Sequence, residues 1–275
     1  MSPPHYKAII ISSINKMKNL VIIIISGISY ISMVFINYLA NALPINNRNT
    51  WAISNSYPNL FTPAWYTFSI WGLIYLMLLA YLIYQFICLK KKRPKMLEDI
   101  QNKINILFTA SSIANISWIF AWHYDFIWLS VIIMIILLAL LINITDQIRS
   151  LKITTQEKLF ISTPFSIYFW WITVAAIANI TVYLVSIGWN GFWIQDYIWT
   201  IVILLAWTMI GILRMHKDKN IAYGMVLIWA YIGILIKHVS GAGFDWKYPS
   251  IIITLIICLL LYVFYIVKMY FKKIA

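Results

Sequence analysis

The chain reads as an all-α, polytopic membrane helical bundle of eight spans. Three observations predict this: its apolar content, its helix-length runs, and the alternation of basic residues between them. Of 275 residues, 63% are hydrophobic and 11% charged, and the mean hydropathy is +0.83. A soluble domain of this size cannot bury so much apolar surface, so the lipid bilayer is its expected solvent and first partner. Hydrocarbon offers no hydrogen-bond partner, so each crossing segment must satisfy its own backbone. Long apolar runs without period-two alternation therefore predict helices and exclude barrel strands.

Runs long enough to cross roughly 30 Å of hydrocarbon lie near residues 20–43, 64–89, 104–122 and 127–145, and again near 159–184, 197–214, 221–238 and 249–270. We number them spans 1 to 8. Their connections alternate sharply in Lys and Arg. One set carries Lys7, Lys16 and Lys18; Lys90, Lys91, Lys92, Arg93, Lys95 and Lys103; Arg149, Lys152 and Lys158; Arg214, Lys217 and Lys219; and Lys268, Lys272 and Lys273, which is 18 of the 21 basic residues. The other set has Arg48, Lys237 and Lys247. Basic connections stay cytoplasmic, so both termini are expected inside, in the plasma membrane. The same clustering accounts for a net charge of +13 that in a soluble protein would point to nucleic acid, and no nucleic-acid partner is expected.

Span 1 has a competing reading as a signal peptide, because basic Lys16 to Lys18 precede an apolar run that ends in Ala40-Asn41-Ala42. Cleavage would place the mature start near Leu43 and leave seven spans. The run exceeds the usual h-region of about 7 to 15 residues, which favours a retained span. Met17 followed by Lys18 resembles a start, so residues 1–16 are expected to be dispensable.

Chemistry in a bilayer normally needs ionisable groups at depth, and no carboxylate lies inside a span. Glu98, Asp99, Asp146, Glu157 and Asp218 fall in the basic connections. Asp125, Asp196 and Asp245 occupy three outer loops and read either as solvated charges beside Trp128, Trp193 and Trp246 or as a converging outer site. Cys88 and Cys258 are isolated, and His5, His123, His216 and His238 form no metal-ligand spacing, so neither disulfide nor metal is expected.

What the spans do hold is aromatic rings and carboxamides. Phe68, Trp71 and Tyr75 form one helical stripe on span 2; Asn115 and Trp118 form another on span 3; Tyr168, Trp171, Ala175 and Asn179 form a third on span 5. Trp71, Asn115 and Asn179 lie at similar depth in the outer half. Such stripes serve either as interhelical packing or, with small Ala175 leaving space among flat rings, as a pocket for a flat apolar ligand.

The segment Phe61-Thr62-Pro63-Ala64-Trp65-Tyr66-Thr67-Phe68-Ser69-Ile70-Trp71-Gly72-Leu73-Ile74-Tyr75 resembles the PPxxxF…VWxxLY block of the tryptophan-rich sensory protein family, TspO/MBR, also called translocator proteins. Asn115-Ile116-Ser117-Trp118 with Phe120 resembles the family's LNxxW…FF, and Tyr168, Trp171, Ala175 and Asn179 resemble its PYxxWxxfAxxLN. Departures are Thr62-Pro63 for paired prolines, Phe68 one position out of register, and Ile167 for the proline before Tyr168, with Pro164 one turn earlier. The resemblance covers about residues 20–185 and implies a five-helix TspO-like core, often dimeric, that binds porphyrin or haem-like tetrapyrroles. Spans 6 to 8 have no counterpart in the five-helix pattern. The expected organisation is therefore an N-terminal segment 1–19, a core 20–185, and three further spans with a short tail in 186–275.

The expected function is a membrane receptor or carrier for a small, flat hydrophobic ligand, of which a porphyrin-like tetrapyrrole is the class the resemblance implies. Trp71, Tyr75, Trp118 and Trp171 would stack on it, Tyr168 and Ala175 would shape the pocket, and Asn115 and Asn179 would hydrogen-bond its polar edges. The alternatives are an eight-span transporter of a small hydrophobic or amphipathic substrate, and a membrane enzyme using Asp125, Asp196 and Asp245. No catalytic residue is assigned. Trp199, Trp207 and Trp229, outside the three blocks, read either as an extension of the pocket or, the safer reading, as lining or packing.

Overall fold

A computed structural model describes residues 4–43, 45–89, 94–151, 153–218 and 220–274, with side chains from residue 13 to 271. Basic residues Lys90, Lys91, Lys92, Arg93, Lys152 and Lys219 lie outside the described residues, as do the side chains of Lys7, Lys272 and Lys273. Among the described residues no strand occurs, and eight helices are long and apolar enough to cross a membrane. Spans 1 to 8 are Ser13–Ala42, Trp65–Cys88, Lys95–His123, Ile127–Arg149, Thr155–Ser186, Asp196–Asp218, Ala222–Val239 and Pro249–Phe271. The chain is an integral, multi-pass helical membrane protein.

The helices overrun the apolar runs wherever polar ends can be solvated. Span 3 starts at Lys95, directly after Pro94, where Glu98 in the first turn complements the positive end of the helix dipole. Asn19 of span 1 donates to Glu98 Oε2 at 3.5 Å and accepts from Asn102 Nδ2 at 2.6 Å. Span 5 opens on a capping box, in which Thr154 Oγ1 accepts from Glu157 N at 3.2 Å and Glu157 Oε2 accepts from Thr154 N at 2.9 Å. Pro164, one turn further on, lacks an N–H to continue the ladder. The preceding residues Lys158–Ser162 form a π turn that absorbs the mismatch, and Thr163 Oγ1 donates back to Lys158 O at 3.0 Å.

Spans 1 to 5 close into a ring, with span 1 packed on 3, 3 on 4, 4 on 5, 5 on 2 and 2 on 1. Buried polar groups knit it: Tyr30 OH donates to Tyr75 O at 2.7 Å, and Tyr81 OH to Asn105 Oδ1 at 2.6 Å. Interhelical bonds of this kind average about 0.6 kcal/mol in membranes.

Span 7 docks on span 5 and on the turn Trp65–Ser69 at the head of span 2, while spans 6 and 8 pack on span 7 and on each other. Gly211 permits that close packing, since a Cβ there would stand 2.5 Å from Leu227 Cδ1 and 2.8 Å from Tyr262 OH. We call the end of the bundle that holds the 4–5 and 6–7 connections the basic end.

Candidate ligand-binding site

The three sequence stripes meet inside the ring, towards the end opposite the basic one. Trp71 stacks on Tyr75 with centroids 5.5 Å apart and planes 23° off parallel, and it meets Tyr168 and Trp171 edge-on at 6.0 and 6.3 Å. Phe68 meets Trp171 edge-on at 6.1 Å, and Trp118 stacks on Trp122 at 5.4 Å. Edge-on contacts set the positive rim of one ring on the negative face of another.

The carboxamides were expected to reach for a ligand, but protein groups already hold them. Trp118 Nε1 donates to Asn179 Oδ1 at 2.8 Å, and Asn179 Nδ2 donates to Ser130 Oγ at 2.9 Å. Asn115 Oδ1 accepts from Asn37 Nδ2 at 2.7 Å, and Asn115 Nδ2 reaches Tyr168 OH at a long 3.4 Å. Among the described residues Tyr75 OH and Trp171 Nε1 are buried with no hydrogen-bond partner, as is Tyr66 OH beside them. The free polar capacity of the site is thus on rings, Tyr66, Tyr75 and Trp171, and not on the carboxamides.

Two spaces adjoin these residues. A chamber of about 50 Å³ is bounded by Phe68, Trp71, Asn115, Trp118, Trp171, Ala175 and Asn179. It holds little more than a water molecule or two. Beside it a cleft of about 640 Å³ runs between span 1, the short helix Thr50–Asn55 and span 2, and it shares Phe68, Trp71 and Trp118 with the chamber. Tyr75 lines the cleft, whereas Tyr168 lines neither space and stands fully buried behind Trp71. Asn37 and Ser130, the partners of the two carboxamides, were missed; each is a polar residue in an apolar span, and that was the available signal.

The connection between spans 1 and 2 covers this end in two halves. The first half is held by span 3. His123 Nδ1 lies 3.1 Å from Ile45 O and His123 Nε2 3.2 Å from Thr50 Oγ1. A carbonyl can only accept, which assigns the proton to Nδ1 and makes Nε2 the acceptor. Asn46 Nδ2 donates to His123 O at 2.9 Å, and Trp122 Nε1 to Thr50 O at 3.2 Å. Arg48 pairs with Asp125, and beside them burial pushes the Tyr57 phenol above its ordinary value, with the Asp125 charge adding to the effect.

The second half is held by span 7. Ala64 N donates to Gly233 O at 3.0 Å, Trp229 Nε1 to Thr67 O at 2.8 Å, and Lys237 Nζ to Asn55 Oδ1 at 3.1 Å. His238 Nε2 lies 2.9 Å from Leu60 O. Trp229 therefore holds the approach to the site in addition to packing.

The outer carboxylates stand in separate settings, Asp125 with Arg48, Asp196 in the first turn of span 6, and Asp245 in a left-handed turn at φ 45°. Among the described residues no three of His, Cys, Asp and Glu gather where they could hold a metal. Asp218 departs from a solvated loop charge: its side chain is 7% exposed and paired with Arg149 and Arg214.

A family model described as TSPO-like protein matches residues 23–268. The match runs through span 8, so the likeness is not confined to the first five spans. No curated protein and no solved structure matches.

Proposed function

From the premise that the chain belongs to the TSPO-like protein family, we propose that it is a membrane receptor or carrier for a flat hydrophobic ligand, with a porphyrin-like tetrapyrrole as the leading class. The observation that carries this reading is the convergence of Trp71, Trp118 and Trp171 around a chamber that shares Trp71 and Trp118 with an adjoining cleft of about 640 Å³, which Tyr75 lines. That volume falls within the range of small-molecule sites, whereas the chamber alone does not. A tetrapyrrole would therefore enter the cleft against Trp71 and Tyr75, and the chamber rings would have to part for it to go deeper. Among the described residues Tyr75 OH and Trp171 Nε1 have no partner; Tyr75 OH would supply a donor to a ligand in the cleft, and Trp171 Nε1 one to a ligand that has entered the chamber. The basic asymmetry supports cytoplasmic termini in the plasma membrane, with the cleft at the outer end.

The test is a titration of purified protein in nanodiscs with a soluble porphyrin, read by isothermal calorimetry. Saturable binding is expected, with Trp71→Leu raising Kd several-fold through loss of a stacking face. Trp128→Leu, a 56% exposed ring at the end of span 4, should bind as the parent does. Absence of saturable binding by any tetrapyrrole overturns the ligand class. A reporter placed after residue 275 should read cytoplasmic and one within 45–62 external; the reverse would remove the proposed orientation.

A further inference from the structure

A second cavity, of about 500 Å³, lies at the basic end between spans 4, 5, 6 and 7, remote from the aromatic site. We propose that it binds a phosphate ester, presented either by an anionic lipid head group or by a soluble organic phosphate.

The cavity has a built polar floor. Asn220 Nδ2 donates to Ser166 Oγ at 2.8 Å, Ser166 Oγ donates to Ser162 O at 2.7 Å, and Asn220 Oδ1 accepts from Ala222 N at 3.0 Å. Asn220 is 7% and Ser166 2% exposed. Asp218, also on the wall, is held by Arg149 Nε at 3.0 Å and Arg214 Nε at 2.8 Å. Asp146 Oδ1 closes the set with Arg149 Nη2 at 3.1 Å and Arg214 Nη2 at 3.6 Å. Two guanidinium groups and two carboxylates cancel, which leaves Lys158 to set the sign of the cavity. Among the described residues Lys158 has no ion-pair partner, and the neighbouring Glu157 carboxylate is turned back onto Thr154.

The π turn is the second observation. Its first and last residues, Lys158 and Ser162, both line the cavity. An ammonium and a hydroxyl one wide turn apart, with the part-exposed guanidinium of Arg149 on the same wall, suit a tetrahedral anion that needs several donors from different directions. Ordinary charge asymmetry across a bilayer would account for basic residues on this side, but it does not call for a cavity with a buried amide and hydroxyl floor. The space exceeds what an inorganic anion fills, and Ile148, Leu151 and Ile153 offer an apolar wall for the organic part of an ester.

The experiment uses the full chain in phosphatidylcholine nanodiscs, with two probes. Phosphatidylglycerol doped into the bilayer is scored by native mass spectrometry, and glycerol 3-phosphate added to solution by calorimetry. Saturable binding of either probe is expected; retention of the lipid alone assigns the head group, and binding of the soluble ester assigns a soluble ligand. Lys158→Gln should weaken the bound probe roughly tenfold, the scale of one charge-assisted hydrogen bond. Ser162→Ala, which leaves the charge unchanged, should weaken it several-fold, and it decides the matter if Lys158→Gln gives no folded protein. Lys103→Gln, an exposed residue on span 3 outside the cavity, should bind as the parent does. No saturable binding of either probe overturns the proposal, as does parental binding by Ser162→Ala or equal loss in Lys103→Gln.

Discussion

The five-span ring and the three-span unit that follows it bury their polar groups by different routes. In the ring, side chain meets side chain more often than backbone: Asn37 with Asn115, Trp118 with Asn179, Asn179 with Ser130, Tyr81 with Asn105, against Tyr30 OH and Ser26 Oγ on carbonyls. In the C-terminal unit and its dock, bonds to backbone take a larger share, beside side-chain pairs such as Thr208 with Tyr231 and Asn220 with Ser166. Tyr231 OH donates to Leu204 O at 2.7 Å, Tyr262 OH to Trp207 O at 3.2 Å, Trp229 Nε1 to Thr67 O, and Ala64 N to Gly233 O. The first route needs particular residues at particular spacings and so leaves a signature in the sequence. The second needs chiefly a missing Cβ, because a carbonyl is present at every position.

The largest expected effect tests that missing Cβ. At Gly233 a methyl group would overlap Thr67 Oγ1, Cγ2 and Cβ, so rotation of the threonine cannot clear it. At Gly72, on span 2, a methyl group would meet nothing within 4 Å. Both glycines are helical, so the gain in helix propensity on going to alanine is common to the two and cancels in the comparison. Gly233→Ala should be less stable than Gly72→Ala by about 1 to 3 kcal/mol, the usual scale of overpacking. Thermal unfolding in detergent checks this, and equal midpoints would mean that the dock tolerates bulk and does not depend on close approach.

Next in size is the coupling inside the ring. Asn179→Leu strands Trp118 Nε1 in an apolar interior, and Trp118→Phe strands Asn179 Oδ1, whereas the double variant strands neither. A double-mutant cycle on unfolding should give an interaction energy of about 1 kcal/mol. A value near zero would remove the claim that side-chain pairs knit the ring.

These two cases show why one half of the molecule was easier to read. Span count and helical class followed from apolar runs, because hydrocarbon leaves the backbone no other solution. The three stripes were legible because Trp71, Trp118 and Trp171 are costly residues at helical spacing, and the structure brings them together. The satisfaction of Asn115 and Asn179 was not legible, because their partners Asn37 and Ser130 lie on spans with no motif. The helix Thr50–Asn55 was missed because six residues carry too little periodicity; the Asn49 cap, accepting from Ala52 N at 3.0 Å, is its clearest local sign. The hydrogen bond of Trp229 was not legible, because its acceptor, the Thr67 carbonyl, is invisible in a pattern of side chains.

The smallest expected effect concerns that residue and separates the two halves of the connection over the site. Span 3 holds the first half through His123 and Trp122, and span 7 holds the second through Trp229, His238 and Gly233. Trp229→Phe keeps an aromatic ring against Tyr66, which now lies 6.5 Å away edge-on, and removes the hydrogen bond to Thr67 O. At about 0.6 kcal/mol for such a bond, the open population of the segment it holds should rise roughly threefold. Hydrogen exchange should therefore quicken by about that factor at residues 60–68, which include the site-lining Pro63 and Phe68. Residues 45–50 should exchange as in the parent, since their anchors are on span 3, whereas Asn55 further along is tied to Lys237 of span 7. Equal quickening in both halves would mean that the connection opens as one unit, and no change in either would mean that Gly233 and His238 hold the second half without Trp229.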